Sequence, residues 1–170
     1  MNLKCCGGIV MLLSSVMYMV KWCDDEKKKR DGIIELLDFI RRAKYELCEN
    51  RKQSILFLEE QKERMRIWNL QEIRSSLCRM EYDMGEKAWA HYVGKQIKNI
   101  RYSEEEEFWM KEIGNGIFGK MIEENKELLG KCEVELQSLY QNRKQKEEEK
   151  RKLAIPMVLL STIMLLIIMI

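Results

Sequence analysis

Charge stops abruptly near both ends of this chain. Of its 30 basic residues, all but Lys4 and Lys21 lie within residues 24–152, and so do all 28 acidic residues. The net charge of +2 therefore hides a neutral, heavily charged middle bracketed by two apolar segments. Both segments have the character of membrane spans.

Residues 153–170 are 18 uncharged residues. As a helix they reach about 27 Å, close to the roughly 30 Å of bilayer hydrocarbon. Pro156 falls in the first turn of that span, where a missing amide donor costs little. At the other end, residues 5–20 are 16 uncharged residues, about 24 Å as a helix. Snorkelling by Lys4 and Lys21 and anchoring by Trp22 extend this to a span over residues 5–22. A cleaved signal peptide is the rival reading, but no small-x-small site precedes Lys21. Basic residues crowd the inner flanks: Lys21 and residues 27–30 after the first span, then Arg143, Lys144, Lys146 and residues 150–152, ending at Lys152, before the second. The positive-inside bias places residues 24–152 in the cytoplasm and both termini on the outer side. The six cysteines, which contain no CxxC pair, then belong to a reducing compartment rather than a disulfide framework.

With 34% charged residues, 46% apolar residues and one Pro, the chain favours long helices over sandwiches or disorder. Ile33, Leu37, Ile40 and Leu47 recur at helical spacing. A break at Asn50 and a second helix over residues 54–66 follow. Leu70, Ile73, Leu77, Met80 and Met84 predict a third, closed by Gly85 as a left-handed cap. Ala88, Trp89, Tyr92, Val93, Ile97 and Ile100 mark a fourth, with Trp89 as a core anchor. Ser103 with Glu106 forms a capping box, and Glu104 and Glu105 complement the positive end of a fifth helix carrying Phe108, Trp109 and Ile113. Gly114, Gly116 and Gly119 then predict a sharp turn. A long sixth helix carries Met121, Leu128, Cys132, Leu136 and Leu139 and runs through a charged stretch to Lys152. The expectation is an all-α antiparallel helical bundle of about six helices between two transmembrane helices.

Chemistry is poorly represented. The single His91 follows Ala88 at the spacing where a di-iron bundle needs Glu, and one His removes most triads and zinc sites. The glycines after residue 113 follow a helix rather than a strand, with no lysine-hydroxyl pair, so no phosphate loop is present. The neutral middle does not fit nucleic acid, although its basic runs can meet acidic lipid headgroups. Cys5 and Cys6 read as packing residues before palmitoylation sites. No catalytic, cofactor-binding or metal residue and no small-molecule substrate is nominated. The candidates are structural or interacting: Trp89, Ser103, Glu106, Trp109, Gly114 and Gly116 in the middle, and Lys21, Trp22 and Lys152 at the membrane interface.

The order of these features, with Tyr-Ser-Glu-Glu-Glu-Glu-Phe-Trp over residues 102–109 leading into Ile-Gly-Asn-Gly-Ile over residues 113–117, resembles the stage III sporulation protein AB family. Weaker points of likeness are Tyr45-Glu46 and the Glu-Lys-Ala-Trp of residues 86–89. The chain departs from the family pattern at residues 50–54, where a Thr-Pro-Leu turn is usual. It has Glu123, Glu124 and Asn125 near the place of a Gly-x-Ser-Asp-x-x-Asn-Gln run. The resemblance implies a non-catalytic platform in the mother-cell membrane around the forespore, similar to the cytoplasmic domain of type II secretion platform proteins. Its implied partners are membrane lipids, other membrane subunits of the sporulation channel complex and a secretion-type ATPase. A freestanding membrane-tethered helical adaptor is the alternative.

Overall fold

A computed structural model describes residues 3–70, 73 and 85–169, without the side chains of residues 3–12, 15, 99 and most of 154–169. Among the described residues every regular element is helical: α1 (Leu3–Ala43), a π-helical turn (Lys44–Glu49), α2 (Ser54–Gln61), α3 (Gly85–Ile100), α4 (Glu104–Phe118) and α5 (Ile122–Met169). The chain divides into two units, residues 28–141 and residues 1–27 with 142–170.

In the larger unit the heptad-like apolar positions of α1 face inward, with Ile33, Leu36, Phe39 and Ile40 at most 1% exposed. They meet Phe57 of α2, Trp89 and Val93 of α3, Met110 and Ile113 of α4, and Leu129, Cys132 and Leu136 of α5 in one hydrophobic cluster. An aromatic series threads that cluster: Phe57, Phe39, Trp89, Tyr92, Trp68 and Tyr102, with successive ring centroids 5.2, 5.6, 5.9, 6.3 and 6.0 Å apart. Each contact adds about 0.5–1.5 kcal/mol beyond area burial.

Several sequence expectations change here. The first apolar segment and the first amphipathic stretch belong to one helix, α1, which ends in the π turn before Asn50. The second helix stops at Gln61 rather than Arg66. The Glu35 carboxylate accepts hydrogen bonds from the backbone N–H groups of Arg66, Ile67 (2.9 Å) and Trp68 (3.3 Å), donors that a continued helix would have spent on its own carbonyls. The third expected helix lies outside the described residues save Leu70 and Ile73, both buried. Gly85 does not cap it in the left-handed region: no described glycine has positive φ, and Gly85 begins α3.

The left-handed positions belong to arginines instead. Arg51 (φ 52°) follows the π turn, where Lys52 N–H donates to Glu46 O at 2.9 Å. Arg101 (φ 54°) ends α3 with its N–H donating to Ile97 O at 2.8 Å. Both arrangements satisfy carbonyls that a helix end leaves open.

In the smaller unit Glu26 and Arg143 form a half-buried ion pair at 2.8 Å, and Glu147 is buried. Lys21 and Lys152 are exposed and Trp22 is half-buried. Pro156 sits inside α5 rather than in a first turn, because the helix is continuous from the charged stretch onward. Among the described residues no helix is long and apolar enough to cross a membrane. Most of the expected spans, residues 5–22 and 153–170, have side chains outside the described residues.

Candidate functional site

All six interior candidates fall on one antiparallel helical hairpin, α3 and α4, joined by the three residues 101–103. Its entry into α4 is set by the capping box. The Ser103 hydroxyl accepts from Glu106 N–H at 3.3 Å, while the Glu106 carboxylate accepts from Ser103 N–H at 2.7 Å and from its hydroxyl at 3.0 Å. Glu106 is buried, so its charge is held by these donors and by the positive end of the helix.

Trp89 is fully buried and donates its indole N–H to Met110 O at 2.8 Å. Its ring lies against Gly114, where an added Cβ would come within 2.5 Å of Trp89 Cδ1. Gly116 faces the other way, and a Cβ there would come within 2.7 Å of Leu129 Cγ on α5. The sequence expectation of a glycine turn is thus corrected: α4 runs unbroken through Gly114 and Gly116 to Phe118. These glycines serve close approach of helices rather than backbone reversal. The hairpin brings Trp89 to Gly114 and Ser103 to Glu106, whereas Gly116 belongs to the contact with α5. Trp109 is half-buried and meets Phe108 edge-on at 5.1 Å, and Phe108 is 54% exposed. Beside it stand the exposed Glu104 and Glu105.

Other bonded groups were invisible in the sequence because their partners are distant along the chain. Glu133 receives Arg41 Nε at 2.7 Å and Lys44 Nζ at 3.1 Å, tying α5 to the end of α1 and the π turn. Partial burial would raise the Glu133 carboxyl, but hydrogen bonds from Arg41 and Lys44 outweigh it and hold the group below its ordinary range. The bond to Glu133 correspondingly raises Arg41. Burial pushes the Cys132 thiol up to about 12, and raises Cys48 as well, so both are neutral thiols at cellular pH. Trp68 donates its indole N–H to Gly32 O at 2.9 Å and stacks on Tyr102. Only their aromatic character marked these two residues in advance.

Among the described residues no three of His, Cys, Asp and Glu gather into a group that could hold a metal ion. The hairpin is built for packing: its buried polar bonds close a helix end and an indole, and its exposed side chains are of mixed charge, with Lys87, His91, Lys95, Lys98 and Arg101 beside Glu86, Glu104, Glu105 and Phe108.

No curated protein and no solved structure matches the chain. The sequence model described as stage III sporulation protein AB matches residues 4–170. With that match running through both apolar segments and the whole hairpin, the chain belongs to the stage III sporulation protein AB family.

Proposed function

We propose that this protein is a non-catalytic platform subunit of a secretion-like channel complex between mother cell and forespore. The observation that carries the proposal is the family match from residue 4 to residue 170, which includes both ends as well as the helical middle. The apolar runs at residues 5–20 and 153–170, flanked on their inner sides by basic residues, support two spans in the mother-cell membrane. In that arrangement residues 24–152 face the cytoplasm, both termini lie outside, and Lys21, Trp22 and Lys152 meet the headgroups. A bundle with an aromatic interior and exposed Phe108 supports docking rather than reaction. Its partners are membrane lipids, other membrane subunits of the complex and a secretion-type ATPase on the cytoplasmic side. The domain catalyses nothing and takes no cofactor, small-molecule substrate or nucleic acid.

Two experiments test this. Protease added outside cells that carry the protein in their surface membrane should leave residues 24–152 intact, and cleavage there would invert the topology. Purification from sporulating cells in mild detergent, after brief crosslinking, should recover an ATPase and further membrane subunits. Recovery of the protein alone would reject the platform role in favour of a freestanding tether.

A further inference from the structure

The exposed basic residues of α3 share one face. Lys87, His91, Lys95 and Lys98 follow at steps of four, four and three, and Arg101 continues the line past the helix end. Glu86 is the sole acidic residue of α3 and lies about 100° round the helix from Lys87. Lys87, Lys98 and Arg101 form no ion pair among the described residues. Between the basic chains the floor is low: Ala90 is half-buried, and nothing lies within 4 Å of a Cβ added at Gly94. From Lys87 to Lys98 the face runs about 17 Å.

The start of α4 has the opposite character. Residues 104–107 are all Glu, and two of them are already engaged, Glu106 in the capping box and Glu107 on Lys111 at 2.6 Å. Glu104 and Glu105 are exposed and form no ion pair among the described residues. One turn on stands Phe108, 54% exposed and edge-on to Trp109. The carboxylates and the open ring favour the same kind of ligand, a cation, the first by charge and the second by its π face. Cations on a low floor are what α3 displays.

We propose that two copies of this chain pair through their hairpins, with the start of α4 in each seated on the basic face of α3 in the other. Phe108 lies over the floor at Ala90 and Gly94, while Glu104 and Glu105 reach the lysines that flank it. The reach matches: Glu104 stands four residues before Phe108 and Lys98 four residues beyond Gly94, about 6 Å along each helix. An acidic partner would use α3 alone and a basic one α4 alone, whereas a second copy satisfies both surfaces at once. A broad anionic surface fits worse, because Glu104 and Glu105 follow Arg101 closely and would meet it too. Reciprocal contacts close the pair as a two-fold dimer. The inference goes beyond the platform proposal and stands without it, since it names a contact of the chain with itself.

The test uses the full-length chain in mild detergent and reads its mass by sedimentation equilibrium. A concentration-dependent dimer is expected at low salt, loosening as salt rises. The double variants Lys87→Glu, Lys98→Glu and Glu104→Lys, Glu105→Lys should each raise the dissociation constant about tenfold or more. An equimolar mixture of the two should pair again, since each then meets opposite charge on both surfaces. Phe108→Ala should weaken the parent dimer without altering any charge. All five side chains are exposed, and unchanged thermal unfolding checks the fold. Glu104→Gln, Glu105→Gln stands in for the lysine variant if cations loosen the helix start. A monomer at low salt overturns the inference, whether the basic face then takes phosphatidylglycerol vesicles or an acidic peptide instead. So does a dimer that none of these substitutions weakens, or a variant mixture that stays apart.

Discussion

Replacing Gly114 by Ala tests whether α3 and α4 touch as closely as the geometry requires. The new methyl carbon would lie 2.5, 2.7 and 2.9 Å from Trp89 Cδ1, Cγ and Cβ, well inside ordinary carbon contact. Trp89 has little room to yield. It is fully buried, its indole N–H is bonded to Met110 O at 2.8 Å, and its ring is stacked on Phe39 at 8° between planes. Overpacking of this kind costs about 1–3 kcal/mol. Ala regains up to about 1 kcal/mol over Gly inside a helix. The net expectation is a loss of about 1–2 kcal/mol, near the upper figure if the ring surrenders its hydrogen bond.

Gly94 supplies the opposite sign within the same hairpin. It lies in α3 with nothing within 4 Å of an added Cβ, so Gly94→Ala should stabilise by about 0.5–1 kcal/mol. Urea unfolding of the full-length chain in detergent, followed by tryptophan fluorescence, reads both. With a slope of about 1–3 kcal/mol per molar urea, the two variants should move the midpoint in opposite directions by a few tenths of a molar or more. Trp89→Phe removes part of the obstructing ring, so Gly114→Ala should cost less in that background. A Gly114→Ala midpoint at or above the parent's, or a cost unchanged by Trp89→Phe, would refute the close contact.

Ser103→Ala removes the hydroxyl half of the capping box and should cost about 1 kcal/mol, with faster hydrogen exchange confined to the first turn of α4. Glu133 titrates lower in the folded than in the unfolded chain. Its contribution is therefore complete above the unfolded carboxylate value and disappears as pH falls through the folded one. Glu133→Gln should flatten the acid limb of a stability–pH curve, and an unaltered limb would deny the Arg41–Glu133–Lys44 bonds a role. Cys132, buried and raised to about 12, should resist iodoacetamide in the folded protein and react after unfolding, as followed by mass spectrometry.

What could be read from the sequence was local. The Ser103–Glu106 box closes within four residues and the apolar positions of α3 repeat at helical spacing, so spacing alone placed them. Trp89 was legible as an anchor because a ring of that size has few other destinations. The failures share one cause, which is interaction across long sequence separation. Glu35 takes the amide of Arg66, 31 residues away in the segment that follows α2, and nothing in the string announces that bond. Gly114 and Gly116 looked like a turn because local reasoning sees only their freedom, whereas Trp89 and Leu129 need their lack of bulk. Arg51 and Arg101 adopt positive φ where a pattern reader would look for Gly.

Gly114 and Gly116 point to opposite sides of α4, one at α3 and the other at α5. A helix seated on its neighbours through bare backbone has no side-chain padding to compress. Sliding or turning it alone would drive peptide groups into an indole on one flank and a leucine on the other. A push delivered to α4 is consequently felt at once by Trp89 on one flank and Leu129 on the other.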